Sequence, residues 1–257
     1  MIAAMDDGPA RFARISSLVE REPSAPGDSG GRAGALGRLC TVLVREVTAT
    51  GAGMTVLVEN APSLVVATSG RHAEQLEELQ LMLGEGPCVD AVAARRPVFE
   101  TDLGGPGFTR WPAYAPAARA LDIGAVFAFP LQVGGACAGV LDVYRTHPGS
   151  MSSSQVLQAL TFADVALSIL LDDQQDATDR RPWEDLDGSM TPVELYQAQG
   201  MVMVQLGISL GEAMVRIRAH AYAQDQRLGD VARAITGGTL KLTRDDTDDS
   251  RRPRVEE

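Results

Sequence analysis

Residues 191–241 read TPVELYQAQGMVMVQLGISLGEAMVRIRAHAYAQDQRLGDVARAITGGTLK, three short helical patterns joined by tight turns. Thr191 stands as N-cap ahead of Pro192 and Glu194, so a hydroxyl and a carboxylate can each satisfy a free amide donor of the first turn. Ser209 and Glu212 repeat the device for a second helix. Leu210, Ala213, Met214, Ile217 and Ala221 recur there at helical spacing, giving one apolar face that a neighbour must cover. Leu228, Val231, Ala232 and Ile235 do the same for a third helix, which the Gly237-Gly238 pair stops. The expectation is a three-helix bundle.

Within this stretch Gln197, Gly200, Met201, Met203, Glu212-Ala213, Arg216, Arg218 and Asp230-Val231-Ala232 form an ordered set that resembles an ANTAR domain, the module of RNA-binding transcription antiterminators. The resemblance covers about fifty residues. Many members carry a basic residue where this chain has Gln199, so it implies no phosphate contact from that position. It does imply paired RNA hairpins in nascent transcripts as partner. Arg216, Arg218, Tyr222, Arg227, Arg233 and Lys241 are then the candidate RNA-binding residues. Arg218 shares a helix side with Tyr222 four residues on, which suits a phosphate contact beside base stacking, whereas Arg216 lies with Glu212 and His220. The plain alternative for each is a solvated helix face, and for the bundle a dimerisation or DNA-binding role.

The chain has 257 residues, with 45% apolar and 22% charged side chains, enough for about two globular domains. Its net charge of −11 is unusual for a nucleic-acid binder. The bundle departs from that balance: Arg216, Arg218, Arg227, Arg233, Lys241 and Arg244 outnumber Glu194, Glu212, Asp225 and Asp230. A phosphate-binding face needs such local clustering more than it needs net charge. Lys241 is the sole lysine of the chain, so the preponderance of arginine is a global bias. No apolar run reaches the ~20 residues of a membrane helix, and the start lacks a basic-then-apolar export signal, so a cytoplasmic location without membrane attachment is expected. Cys40, Cys88 and Cys137 lie far apart with no CxxC or Cys/His pairing, which indicates neither a disulfide framework nor a metal site.

Residues 1–35 read as a flexible leader: a short amphipathic piece at 12–20 is followed by EREPSAPGDSGGR. Leu36, Cys40, Leu43 and Val47 then form a helical seam. Residues 54–58 and 64–68, separated by Asn60, Ala61 and Pro62, predict a hairpin. A helix over 73–83 leads into Gly84-Glu85-Gly86-Pro87-Cys88 and a second helix to about Ala94. A strand is expected over 97–101 and a helix over 111–121. Residues 125–133 and 136–144, joined at Gly134-Gly135, give the clearest hairpin, and a helix from Ser153 to about Leu171 closes the segment.

This order predicts an α+β fold, a mixed antiparallel sheet covered by helices and followed by the all-α bundle. The phrases LGEGPC (83–88), RWPAYAPAA (110–118) and FPLQVGGACAGVLDVYR (129–145) make residues 36–172 resemble a GAF domain of the kind found ahead of ANTAR modules. The resemblance implies a sensory fold with a small-ligand pocket between sheet and helices, and it names neither ligand nor cofactor. Cys88, Trp111 and Tyr114 are the candidate pocket or redox residues. Cys88 follows Pro87 at a helix start, where amide donors can lower a thiol pKa, against the plainer reading of a packed cysteine. Some GAF domains reduce methionine sulfoxide with cysteines, which leaves a thiol reductase as a distant alternative. His72 and His147 lack a haem motif, and no nucleophile, base and orienting acid form a set, so no enzyme is expected.

Residues 173–190 are acidic and read as a linker, and 245–257 as a charged, disordered tail. Val156, Leu160, Ala163, Leu167 and Leu170 repeat at four and three, the seam of a short coiled coil, with the Leu36, Cys40, Leu43 and Val47 stripe as a match. A homodimer through these helices would set two bundles side by side. The acidic side chains at Asp172, Asp173, Asp176 and Asp179 could mask the basic face until a signal shifts the long helix.

Overall fold

The computed structural model describes residues 8–24, 30–57, 63–105, 107–172, 192–224 and 226–243. The expectations for Thr191, Asp225, Arg244, the 60–62 turn, the 173–190 linker and the 245–257 tail lie outside these residues. The chain divides into two compact units, one ending at Gly188 and one running from Ser189.

The first unit is built on a sheet whose five strands, β1 (Gly51–Val56), β2 (Leu64–Thr68), β3 (Val98–Glu100), β4 (Ala125–Val133) and β5 (Ala136–Arg145), pair in the order β2-β1-β5-β4-β3. Every pairing is antiparallel. Gly134, at φ 57°, makes the tight turn of the central β4/β5 hairpin. Gly139 is required by close approach: a Cβ there would stand 2.4 Å from the Thr55 carbonyl oxygen of β1. The central strands read as continuous apolar runs because both faces are covered. Alternation still sorts the faces, with Phe127, Phe129, Leu131, Leu141 and Val143 entering one core and Val126, Ala128, Val140 and Tyr144 another.

Helices α2 (Gly31–Glu46) and α7 (Ser153–Asp172) cover the first face. On the second face lie α3 (Arg71–Leu83), α4 (Pro87–Ala94), the four-residue α5 (Gly107–Arg110) and α6 (Tyr114–Ala120). The helix expected over 111–121 starts only at Tyr114, because Pro112 restricts the residue before it and Glu85 ties down the next turn. One Glu85 oxygen, Oε1, accepts the N–H groups of Ala113 and Tyr114 at 2.5 and 2.6 Å.

Two expectations are corrected. Part of the supposed flexible leader is helix α1 (Gly8–Arg21), which packs on α2 and α7. Ile15 and Val19 are 0% and 4% exposed, and Arg14–Glu46 and Arg45–Glu22 ion pairs at 3.0 Å flank the contact. The proposed α2 dimer stripe is likewise occupied: Leu36, Cys40, Leu43 and Val47 are fully buried against the sheet and α7. A three-four spacing serves a sheet-facing helix as well as a coiled coil. On α7 the seam splits, with Ala163 and Leu167 buried and Leu160 exposed beside Leu157. Among the described residues α7 is also the one single helix long and apolar enough to cross a membrane, and its Ala159, Phe162, Ala163 and Ala166 are spent on the core.

The second unit is the expected bundle: α8 (Pro192–Leu206), α9 (Leu210–Ala223) and α10 (Leu228–Thr236). The chain turns by 106° between α8 and α9, through Gly207 at φ 64°. The Ser209/Glu212 capping box is present, with Glu212 N–H donating to Ser209 Oγ at 3.2 Å and Ser209 N–H donating to Glu212 Oε2 at 2.8 Å. Ser209→Ala is expected to cost about 1 kcal/mol, read as a lowered unfolding midpoint of the bundle. The core unites Leu195, Ala198, Val202, Ile217, Val231 and Ile235. The segment after α10 closes it, since Leu242 is 2% exposed and its carbonyl accepts Gln205 Nε2 at 2.8 Å.

Candidate functional sites

On α9 the buried face of Ala213, Met214, Ile217 and Ala221 leaves Gly211, Val215, Arg218 and Tyr222 along one flank. Val215 and Tyr222 are 63% and 62% exposed. Arg218 is half-buried and its Nε makes no hydrogen bond, so desolvation lowers its pKa from the usual arginine value. An arginine fixed low beside an exposed tyrosine and a valine offers a ring face and a cation in one strip.

The other candidates are dispersed. Arg216 lies on the opposite flank with Glu212 and His220, and its Nη1 reaches the Thr243 carbonyl at 3.5 Å. Arg227 is exposed at the start of α10, and Lys241 is exposed beyond its end. Arg233 is exposed, paired with Asp230 and 3.9 Å from Glu194, so its charge is largely offset locally. Gln199 is buried, with Nε2 donating to the Leu210 carbonyl at 2.7 Å. It joins α8 to the first turn of α9. The sequence reading missed the exposure of Val215 and, on α8, of Met201 and Val204. These apolar residues fall outside the buried stripe of their helices, the one signal that could have found them.

In the first unit the fold gathers Cys88, Trp111 and Tyr114 into one cluster beneath the sheet. Trp111 and Tyr114 meet edge to face at 6.4 Å. The indole Nε1 donates to Asp90 Oδ2 at 3.2 Å, and Arg110 pairs with the same carboxylate at 2.6 Å while lying 4.8 Å over the indole ring. Cys88 does sit at the first turn of α4, and its backbone N–H donates to Gln80 Oε1 at 2.8 Å. Its thiol is nevertheless pushed well above the ordinary cysteine value, by burial first and then by Asp142 and Glu77. The activated thiolate considered from the sequence is therefore not what this environment favours. His72 Nε2 is committed to the Leu121 carbonyl at 2.8 Å. Among the described residues no group of His, Cys, Asp and Glu could hold a metal ion.

Around these residues lies a polar centre the sequence reading did not find. Glu77 on α3 accepts Thr55 Oγ1 at 2.8 Å and the Tyr144 hydroxyl at 2.7 Å. Gln80, one turn on, donates to Asp142 Oδ2 at 2.9 Å and to the Tyr144 oxygen at 3.1 Å. Glu77, Gln80 and Asp142 are at most 1% exposed. Burial raises the Glu77 pKa to about 7, the bonds from Tyr144 and Thr55 opposing it, and raises that of Asp142 well above its usual range, with Glu77 adding to the rise. Gly53 makes the arrangement possible, because a Cβ there would lie 2.2 Å from Glu77 Oε1. The sequence carried a faint signal: Asp142 interrupts an apolar strand, and Glu77 and Gln80 share the stripe of Ala73.

An antiparallel sheet with helices on both faces and an enclosed polar centre defines an α+β domain. A family model for the GAF domain matches residues 33–171, over half of the chain, and the chain belongs to the GAF domain family. A model for the ANTAR domain matches residues 193–235, so the chain is a regulator with a GAF domain followed by an ANTAR domain. No curated protein matches the chain. Among solved structures, the GAF domain of a phosphoenolpyruvate-protein phosphotransferase from Coxiella burnetii is 17% identical, covering 68% of this chain and 98% of that one at TM-score 0.51. The GAF domain of the Acinetobacter phosphoenolpyruvate-protein phosphotransferase is 14% identical, covering 70% and 100% at TM-score 0.50. A free methionine-R-sulfoxide reductase from Neisseria meningitidis, in complex with its substrate, is 17% identical over 69% and 98% at TM-score 0.48. The two phosphotransferase likenesses concern the fold alone.

Proposed function

We propose that the chain is a cytoplasmic RNA-binding transcription antitermination regulator, in which the GAF domain responds to a small ligand and the ANTAR bundle holds RNA hairpins of nascent transcripts. The observation that carries this reading is the α9 flank, where Tyr222 is 62% exposed on the same side as the half-buried Arg218. An unstacked loop base can lie on the Tyr222 ring with Val215 beside it, while Arg218 meets the adjoining phosphate. Lys241 and Arg227 add charge from other parts of the bundle, and Arg233 adds little because Asp230 and Glu194 hold it. Residues 36–172 and 191–244 are the working units of this reading, with 173–190 between them.

Tyr222→Ala is expected to weaken hairpin binding by ~1–3 kcal/mol, about five- to 150-fold. Arg218→Ala should reduce the slope of log affinity against log salt by about one, and Arg233→Ala by less. Filter or fluorescence binding at several salt concentrations measures both. A Tyr222→Ala chain that binds as tightly as wild type would contradict the assignment of this flank. The high thiol pKa of Cys88 favours regulation over reductase chemistry.

A homodimer remains part of the proposal. Because the α2 stripe is internal, its contact falls to the exposed line of α7, Leu157 and Leu160, which are 50% and 37% exposed. Leu157→Glu with Leu160→Glu is expected to halve the mass in solution and leave the fold intact. A dimer that survives both changes removes this face from the assembly.

A further inference from the structure

The polar centre ties one helix to the sheet through a proton. Glu77 and Gln80 stand one turn apart on α3, and both side chains enter the centre. Thr55 Oγ1 donates to Glu77 Oε2 and the Tyr144 hydroxyl to Oε1, so each oxygen of that group already has a donor. The Asp142 carboxyl of β5 hydrogen-bonds Gln80 Nε2, the Cys88 thiol and the Glu77 carboxyl itself. Two carboxyl groups bond each other only while they hold a proton between them. Facing the pair are Thr55 of β1, Tyr144 of β5, Gln80 of α3, Cys88 of α4 and Tyr114 of α6, with the Cys40 thiol of α2 behind the sheet. None of these is a cation.

Loss of that proton turns the bond into a repulsion between two carboxylates at hydrogen-bond range, away from water and without a counter-charge. Asp142 is fixed on β5, which pairs with β1 on one side and β4 on the other. Glu77 is therefore the group that yields, and α3 moves with it. The helix ends at Gly84 and is followed by Gly86, at φ 67° and 132°, a turn with backbone free to reorganise. Gln80 passes the movement to α4: its Oε1 accepts the Cys88 N–H at 2.8 Å, and Gly86 sits so close that a Cβ there would stand 2.5 Å from the same oxygen. A shift of α3 breaks the Cys88 bond and releases the turn.

We propose that the proton shared by Glu77 and Asp142 is a switch on the seating of α3: with it, α3 and the α3–α4 turn lie on the sheet, and on its loss to solvent they open while the sheet stays formed. The inference goes beyond the sensor reading, since it needs neither a small ligand nor RNA. Its direction follows from burial, which keeps the proton on Glu77 to about pH 7 in the closed domain, whereas an opened Glu77 ionises near its ordinary 4.5. Opening therefore releases a proton between those values, grows as pH rises through that window and levels off above it.

The test is hydrogen–deuterium exchange of the full chain at pH 5, 6, 7 and 8, read by mass spectrometry on peptides spanning α3 to Cys88 and, for reference, α7. Wild type is compared with Glu77→Gln, whose amide replaces the shared proton and lets Asp142 ionise with no charge beside it. The chemistry of exchange is common to both chains at each pH, so the ratio of their rates reports opening. That ratio is expected to rise about tenfold per pH unit from 5 to 7 in the α3 and turn peptides and to level off by pH 8. In wild type at pH 7 these peptides should exchange faster than those of α7, the mark of a local opening. A ratio level across the series, or α3 and α7 peptides exchanging at one common rate, overturns the proposal. If the variant does not fold, the wild-type series divided by the rate of an unstructured chain at each pH carries the same slope and decides the matter.

Discussion

Glu77→Gln is expected to flatten a fall in GAF-domain stability that the wild-type chain shows between about pH 4.5 and 7. Burial raises the folded pKa of Glu77 to about 7 from an ordinary value of 4.5. Below the lower value both folded and unfolded states hold the proton, and the contribution to stability is greatest. As pH rises the unfolded carboxyl ionises first, so stability drains away until the folded group ionises too, near 7. Converted at 1.36 kcal/mol per unit, the loss from Glu77 is about 3 kcal/mol. Asp142 is shifted in the same direction and the two titrate as a pair, so its share extends the fall. Urea unfolding, followed through Trp111 in a Trp183→Phe background, measures the effect as the difference between wild type and Glu77→Gln at each pH. That difference cancels the exposed carboxylates and should favour the variant increasingly as pH rises. A wild-type chain whose stability, relative to the variant, is level or rises from pH 5 to 8 would mean the carboxylate is not buried as described.

Ile15→Ala is expected to destabilise the same domain by about 2–5 kcal/mol, the range for emptying a fully packed aliphatic site. Ile15 has no exposed surface and meets the core formed by α2 and α7. A leader without fixed structure would make the substitution nearly silent, because an exposed side chain away from contacts changes stability by only about 0.5 kcal/mol. The urea midpoint distinguishes the two, and a shift within that silent range would restore the leader reading. The helix escaped sequence reading because its partners are remote: Arg11 of α1 lies near Thr161 of α7, 150 residues later. Composition around Pro23, Gly30 and Gly31 then outweighed the four-residue spacing of Ile15 and Val19.

Where the deciding physics was local, the sequence was sufficient. Ser209 and Glu212 are a capping box whose geometry follows from their spacing, and Gly134-Gly135 sets a hairpin that alternation on either side confirms. The α9 flank follows from helical periodicity alone, which puts Tyr222 one turn beyond Arg218. Where the deciding physics was tertiary, the sequence misled or was silent. Leu36, Cys40, Leu43 and Val47 have the spacing of a coiled-coil seam, and only the sheet beneath them makes them core. Cys88 has the local setting of an activated thiol, yet Asp142, 54 positions on in the chain, and burial reverse the sign of its pKa shift. Glu77 stands in an ordinary-looking helix, AEQLEELQL, and its burial depends on Gly53 leaving room on β1.

The central claim, that the bundle reads single-stranded features of RNA, is tested most directly by comparing affinities of the full chain for three ligands of equal length: a hairpin RNA with an unpaired loop, a fully paired RNA stem and duplex DNA. The account predicts tightest binding to the hairpin, falling with salt as counterions are released, and weaker binding to both duplexes because Tyr222 finds no unstacked base. Duplex DNA bound more tightly than every loop-bearing RNA tested would contradict it.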